Sequence, residues 1–436
     1  MQPVKIGLLG FGTVGGGTVR VLARNAQEIA RRAGRELRIT TVFTRDPSKP
    51  RLYSVEGMRL VTDPWQVVED PEVEVVAELI GGISPAKELI LRAIELGKPV
   101  VTANKALIAL HGNEIFARAS QRGVMVAFEA AVAGGIPIIK VLREGLAGNR
   151  IEWVAGIING TCNFILSAMR EQGREFAEVL KEAQALGYAE ADPSLDVEGI
   201  DAAHKLTILA AIAFGIPLKF ASVYTEGITR ITPEDIRYAE ELGYRIKSLG
   251  IARRSGEGIE LRVHPCLIPA RRLLANVEGV MNAVVVKGDA VGPTLYYGPG
   301  AGAEPTASAV GADLVDVVRA MTADPENRVP HLAFQPDALS DLRVLPMGEV
   351  ETAYYLHLRV ADQPGVLADI ARFLADHDIS IEAVIQKEPK PSQQDVPLIF
   401  LTHKVRESAL DAAAKKIESL PTVKAPVHRI RLETLE

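Results

Sequence analysis

The chain runs to 436 residues, room for about three domains at ~150 residues each. With 47% hydrophobic and 24% charged residues it has the make-up of a packed globular protein and not of a disordered one. Forty-nine basic against fifty-five acidic residues leave a net charge of -6, and aromatics are only 5%, which argues against a main role in binding nucleic acid.

The N-terminal part alternates strand and helix. Apolar, branched runs at Val4–Leu9, Ile39–Phe43, Val73–Ile80, Val100–Thr102 and Val124–Phe128 read as buried parallel strands. Helical patterns lie between them at Thr13–Ala33, Pro85–Leu96 and Ala106–Arg122, with Gly97 and Gly123 where helix-ending glycines belong. This alternation predicts a doubly wound α/β domain of Rossmann type over 1–135. From 136 to 296 the pattern turns α+β. A helix follows Pro137, then a strand at Arg150–Ile158, helices at Thr161–Arg170, Phe176–Leu186 and Asp196–Phe214, and strands at Ile246–Ile251, Ile259–Val263 and Ala283–Lys287. The Gly-rich stretch from Tyr297 leads into a helix and is expected to return to the first domain at about 297–322. Residues 323–350, with several prolines and little periodicity, read as a linker. From 351 to 436, Tyr354, Leu356, Leu358 and Val360 alternate with Tyr355, His357 and Arg359, the pattern of a half-buried strand. The order that follows is βαββαβ, a ferredoxin-like module, with Pro389 to Pro397 as one long hairpin loop.

No apolar stretch approaches the ~20 residues of a membrane span, and the strand-like start does not resemble a signal peptide. Two cysteines, Cys162 and Cys266, without CxxC spacing suit a reducing cytoplasm. Neither HExxH nor GxSxG occurs.

Gly10-Phe11-Gly12-Thr13-Val14-Gly15 follows the first strand and opens the first helix. Gly10 permits the tight turn, Gly12 lets backbone approach a pyrophosphate, and Gly15 lets helix and sheet pack closely, so the loop is expected to bind a dinucleotide. The second strand ends in Thr44-Arg45-Asp46. Arg45 favours the 2′-phosphate of NADP, while Asp46 leaves NAD open. Thr102-Ala103-Asn104-Lys105 places an amide and an ammonium at the carboxyl end of a strand, where open sheets border their ligand crevice. Asp196, Asp201, His204 and Lys205 fall on or beside one helix whose other neighbours are apolar. Asp201 and Lys205 form an i,i+4 pair that is either a surface ion pair or part of a site. Phe128 to Pro137 is a strand end followed by a loop of small residues, which reads either as a plain turn or as a hard-cation site built of carbonyls and Glu129.

Together these segments resemble homoserine dehydrogenases over nearly the whole chain. The resemblance rests on Gly10–Gly15, Thr102–Lys105, Glu129–Pro137, Gly156–Asn163, Gly187–Pro193, Asp196–Lys205 and Tyr297–Gly302. It implies reversible reduction of aspartate 4-semialdehyde to homoserine with NADP or NAD. It also implies that Lys205 supplies the proton, Lys105 contacts the reacting oxygen and lies at the cofactor, Glu190 and Asp201 hold the substrate ammonium, and Asp196 supports them. Gly302 would complete the cofactor site, and a sodium ion would be held by Glu129 and the backbones of Val132, Gly134 and Ile136. A homodimer is expected.

The tail, with Asp362-Gln363-Pro364-Gly365-Val366-Leu367, resembles an ACT domain. That implies an amino-acid effector, threonine, at Asp362, Gly365, Val366 and Leu367, and a module that pairs with another of its kind. A plain capped helix would carry the same D-x-P-G turn. Aspartate kinase fusions occur among related enzymes, and the start at Met1-Gln2 is read as leaving no room for one. Two rivals stay open: another semialdehyde dehydrogenase on the same scaffold, and a non-catalytic sensor of dinucleotides and amino acids. The sensor would not need Lys105, Glu190, Asp201 and Lys205 together.

Overall fold

The computed structural model describes residues 2–48, 55–256, 258–324, 328–387 and 395–436. The larger part of the Pro389–Pro397 loop expected from the sequence therefore lies outside the described residues. Two compact units emerge, each assembled from separated stretches of chain: 1–160 with 200–223 and 280–342, and 161–199 with 224–279 and 343–436.

The first unit holds a six-stranded parallel sheet in the order Arg59–Val61, Leu37–Phe43, Val4–Leu9, Val75–Glu78, Val100–Thr102, Val126–Ala127. The doubly wound fold expected from the alternation is thus present. Its strand order reverses between Val4–Leu9 and Val75–Glu78, which opens a crevice at their carboxyl ends. Val4, Ile6 and Leu8 are fully buried. They pack with Val310, Leu314 and Val317 of the helix Ala303–Ala320, which belongs to this sheet despite its late place in the chain. The helix read as Thr13–Ala33 is two, Thr13–Arg24 and Ala26–Ala33, with Asn25 between them at φ -107°. Asparagine competes for backbone hydrogen bonds and so favours such junctions. The long helix read from Asp196 is likewise split into Ser194–Val197 and Ile200–Phe214, because Gly199 takes φ 85°. A strand unread in the sequence, Gly292–Pro299, runs antiparallel to Met281–Gly288, whose other neighbour is Ile151–Ile157.

The second unit is built on a twelve-residue antiparallel pair, Tyr244–Ser255 and Gly258–Pro269. The strand His428–Leu432 adds to it in parallel, Cys266 opposite Arg431, and continues antiparallel to Glu351–Ala361, then Asp395–Thr402, then Ile381–Gln386. With helices Val366–Ala375 and Glu407–Glu418 this is the expected βαββαβ module. Its first strand is not half-exposed, however. Tyr354, Leu356 and Leu358 fill the module's own core, while Tyr355 packs with Ile165, Leu166 and Ile236 on the other face. Among the described residues no helix is long and apolar enough to cross a membrane.

In the first unit the His331 ring stacks on Phe116 at 4.9 Å, and its Nε2 accepts the Val126 N–H at 3.1 Å. Burial, then Arg143 and Arg328, lower its pKa from 6.5 to about 4. Between these two values the unfolded chain holds a proton that the folded chain refuses, so stability falls as pH drops from 6.5 to 4. His331→Gln keeps an acceptor for Val126 and does not titrate. The variant should flatten the acid limb of melting temperature against pH, by at most about 1.4 kcal/mol per pH unit. Superimposable acid limbs for wild type and variant would exclude this role.

Candidate active site

At the crevice of the first unit the phosphate-binding loop is shaped by backbone alone. Gly10 takes φ 102°, and a Cβ there would stand 2.7 Å from the Leu79 carbonyl oxygen. A Cβ on Gly15 would lie 2.1 Å from Gly10 O, whereas one on Gly12 would meet nothing within 4 Å. Gly12 is therefore the exposed position where a ligand can come close to the main chain, and Gly10 and Gly15 keep the turn closed. The helix Thr13–Arg24 starts from Gly12 without a side-chain cap, so the Thr13 and Val14 end presents its amides to an anion. Phe11 lies half-buried beside it. Gly17 lets the helix Ala303–Ala320 approach, since a Cβ would stand 2.5 Å from Ala303 O. Gly302, at φ 124°, is the residue before that helix. Arg45 is exposed just beyond its strand. Asp46 Oδ1 accepts from Ser48 N and Oγ at 2.9 and 2.6 Å, which makes Asp46 the pivot of its turn.

The adjacent strand ends carry a carboxylate that the sequence did not single out. Glu78 is fully buried. Its Oε2 accepts from Thr102 Oγ1 at 2.7 Å and its Oε1 from the Ile80 and Gly81 amides at 2.9 and 3.1 Å. Burial raises its pKa against these hydrogen bonds. Asn104 donates to Gly82 O at 2.6 Å and caps Leu107 N at 3.1 Å, so the helix Lys105–Arg122 begins at a fixed point.

Lys105, Asp201 and Lys205 meet there. Asp201 Oδ1 lies 3.1 Å from Lys105 Nζ, and its Oδ2 accepts from Lys205 Nζ at 2.7 Å. Asn159 Nδ2 adds a third donor at 2.9 Å, and Lys205 Nζ also donates to Ile158 O at 2.7 Å. Burial alone would raise the Asp201 pKa; the Lys205 and Lys105 charges overcome it and hold the carboxylate far below its ordinary range. The Lys205 side chain is 11% exposed and that of Lys105 39%, so one ammonium is enclosed and the other opens outward. His204, on the same helix, stacks on Phe220 at 4.5 Å, and burial lowers its pKa from 6.5. Asn159 and the Ile158 carbonyl were not assigned a role from the sequence. The strand-ending Ile158-Asn159-Gly160 was the available signal.

The Glu129–Ile136 loop is almost wholly buried. The Glu129 carboxylate accepts from the Ile139 and Lys140 amides, both at 2.9 Å, and so caps the helical turn after Pro137. Burial raises its pKa to about 7, and its own amide donates to Asp313 Oδ2 at 2.8 Å. Two main-chain oxygens of the same loop are engaged as well: Ile136 O accepts from Ile138 N at 2.7 Å and Glu129 O from Val132 N at 3.4 Å. A Cβ on Gly134 would meet Gly300 O and Thr306 Oγ1 at 3.0 Å, so this chain segment is tightly enclosed.

Glu190 and Asp196 belong to the second unit. Glu190 is exposed and its carbonyl accepts from Gln184 Nε2 at 3.1 Å; Asp196 is half-buried on the short helix Ser194–Val197, with Cys162 Sγ donating to its carbonyl at 3.2 Å. In the terminal module, Asp362 and Leu367 are exposed and Val366 is buried. Gly365 itself caps the helix Val366–Ala375 at φ 94°, with no side-chain cap bond from Asp362.

Known proteins resemble this chain along its whole length. A family model described as homoserine dehydrogenase matches residues 137–315, one described as its NAD-binding domain matches 10–129, and an ACT domain matches 354–422. A homoserine dehydrogenase of Pseudomonas aeruginosa is 63% identical over 435 residues, covering 100% of both chains. The crystal structure of one from Thiobacillus denitrificans superposes with a TM-score of 0.95 at 65% identity, covering 100% of this chain and 99% of that one. A hyperthermophilic archaeal homoserine dehydrogenase in complex with NADPH matches 72% of this chain and 98% of its own, at 29% identity and a TM-score of 0.60. A glycine loop at the switch point of a parallel sheet, two lysines on one buried aspartate and these full-length likenesses lead to one conclusion: the chain belongs to the homoserine dehydrogenase family of nicotinamide-dependent oxidoreductases.

Proposed function

We propose that the chain catalyses the reversible NAD(P)H-dependent reduction of L-aspartate 4-semialdehyde to L-homoserine. The observation that carries this reading is the Lys105–Asp201–Lys205 cluster, with Lys105 at the carboxyl end of the same parallel sheet that carries the glycine loop. Aldehyde reduction develops negative charge on the carbonyl oxygen, which needs a proton and an electrostatic partner. Lys205 Nζ delivers the proton and is recharged from solvent; Lys105 Nζ donates a hydrogen bond to the same oxygen. When bound, the reduced dinucleotide supplies the hydride equivalent. Gly10, Gly12, Gly15 and the amides of Thr13 and Val14 hold its pyrophosphate, Phe11 and Gly302 border it, and Arg45 takes a 2′-phosphate, which favours NADP over NAD.

Asp201 already has both oxygens on lysines, so its first task is to hold the two ammonium groups and to meet the substrate's ammonium second. Glu190, with Asp196 in support, takes that ammonium by charge-assisted hydrogen bonds. Glu129 and the main-chain oxygens of Val132, Gly134 and Ile136 suit a sodium ion that stiffens the loop, and the active form is a homodimer. In the ACT module Asp362, Gly365, Val366 and Leu367 form the effector turn. The uncapped helix end behind Gly365 suits the carboxylate of an amino acid, for which threonine is the candidate.

Lys205→Ala should lower kcat by about 10²–10⁴-fold, the usual share of a general acid, with the KM for the dinucleotide little changed. Near-normal turnover, followed by loss of NADPH absorbance with aspartate semialdehyde, would refute the assignment. Glu190→Leu should raise the KM for the semialdehyde and slow turnover, because a site built on charge rejects what it cannot pair; an unchanged kcat/KM contradicts the role. Threonine should inhibit the intact chain, and Asp362→Ala should move the inhibition curve to at least about tenfold higher concentration. An intact chain indifferent to threonine removes the effector reading.

A further inference from the structure

In the second unit, His357 on the strand Glu351–Ala361 stands directly opposite His428 on His428–Leu432 in the antiparallel register. Residues so paired share one face, with Cβ atoms about 5 Å apart. Onto this face the helix Pro233–Glu241 lowers Asp235. Its carboxylate is fully buried, with Oδ1 2.7 Å from His357 Nδ1 and Oδ2 3.1 Å from His428 Nδ1.

The hydrogen bonds of this cluster do not balance. Asp235 is also approached by Tyr355 Oη at 3.1 Å on Oδ1, and by Thr232 N at 3.1 Å and Thr232 Oγ1 at 2.6 Å on Oδ2. With the two imidazoles, more donors crowd this carboxylate than the roughly four lone-pair positions it has. His357 Nε2 is buried without a hydrogen-bond partner and faces Glu234 Oε2 at 3.7 Å. Both irregularities disappear if the imidazole nitrogens facing Asp235 offer lone pairs to a cation and carry their protons on Nε2. A carboxylate behind the far nitrogen of a histidine is the usual support of a metal-bound imidazole. Glu234 is itself oriented by Arg359 and by Arg237 at 3.6 Å.

We propose that Asp235, His357 and His428 form a binding site for a divalent transition-metal ion of the zinc class. Two imidazoles and one carboxylate are the donor set such an ion prefers, and the three ligand atoms already lie within 4.8 Å of one another. Ligand distances of about 2.0–2.2 Å need shifts of only a fraction of an ångström to 1 Å. A water or the Tyr355 hydroxyl completes the tetrahedron, and the His428 side chain, 23% exposed, marks the way in from solvent. Held there, the ion ties two strands of the ACT module to the helix Pro233–Glu241. It is chemically separate from the Lys105–Asp201–Lys205 cluster and does not depend on the reaction assigned to that cluster.

The test is calorimetric titration of the intact, EDTA-stripped and dialysed chain with ZnCl2, with CoCl2 as a spectroscopic probe. Wild type should take up one Zn2+ per chain with a dissociation constant of about 1 µM or below. Its melting temperature should rise on loading, and Co2+ should give ligand-field absorption in the visible. His428→Ala and His357→Gln should each weaken binding by at least about tenfold and abolish that absorption. Glu234→Gln, which leaves all three ligands in place, should weaken it less. Circular dichroism of the stripped variants separates loss of the site from loss of the fold. Absence of Zn2+ uptake by wild type, or uptake that both histidine variants retain at full affinity, overturns the proposal.

Discussion

One carboxylate governs the strand-end cluster of the first unit. Asp201 is buried among apolar neighbours on the helix Ile200–Phe214, where an isolated charge would cost several kcal/mol. It stays ionised because Lys205 and Lys105 converge on it and Asn159 adds a neutral donor. The dependence is mutual. Two ammonium groups cannot stand side by side in a partly enclosed crevice without an anion between them. The cluster therefore locks three elements together: the end of the strand Ile151–Ile157, the start of Lys105–Arg122 and the first turn of Ile200–Phe214. Removing Asp201 would leave two ammonium groups facing each other, whereas removing one lysine leaves a balanced pair; breaking a buried pair by taking one partner away typically costs about 3–5 kcal/mol. That cost keeps the geometry fixed even though a surface lysine–aspartate pair would contribute almost nothing.

Two other buried acids of the first unit gather main-chain amides. Glu78 gathers Ile80 and Gly81, and Glu129 gathers Ile139 and Lys140. In both cases a loop at a strand's carboxyl end is held by a carboxylate where a side-chain cap or a longer turn would otherwise be needed. These loops are thus held by buried carboxylates, whereas the phosphate turn is shaped by its glycines. An open position at Gly12 and closed ones at Gly10 and Gly15 are what a diphosphate and a tightly packed helix respectively demand.

This division also explains what the sequence made legible. Alternating strands and helices, the glycine loop and the i,i+4 spacing of Asp201 and Lys205 are local patterns, and each could be read from neighbouring residues. The meeting of Lys105 with Asp201 joins positions ninety-six apart in the chain, and only the resemblance suggested it. Glu78 and Asn159 were overlooked because a lone polar residue at a strand end has no periodicity to betray it. The strand Gly292–Pro299 was hidden by its glycines and prolines, which an edge strand tolerates. Pro233–Glu241 carried a signal that went unused: Thr232 and Asp235 form a reciprocal capping box with proline at the first turn.

The terminal module shows a different limit of pattern reading. Its first strand alternates, so one face reads as polar, yet Tyr355 and His357 on that face are buried. The polar residues are accommodated because their partners are polar too. Arg431 is almost wholly buried between Glu407 of the module and Glu226, which lies 2.8 Å from it, and Arg262 stands between Glu260 and Glu433 at 2.9 and 2.7 Å. Apolar residues of similar volume could fill such a seam with comparable stability. They would tolerate sliding, whereas a buried guanidinium accepts only the register in which its carboxylates are opposite. The strand Glu351–Ala361, which leads into the turn at Asp362–Leu367, is therefore held on one face by Asp235 and at its edge by a strand bearing Arg431. An amino acid bound at that turn would act on a strand with no soft hinge on that face. Any displacement would have to be discrete, exchanging one set of ion pairs for another, because no intermediate position keeps these charges satisfied.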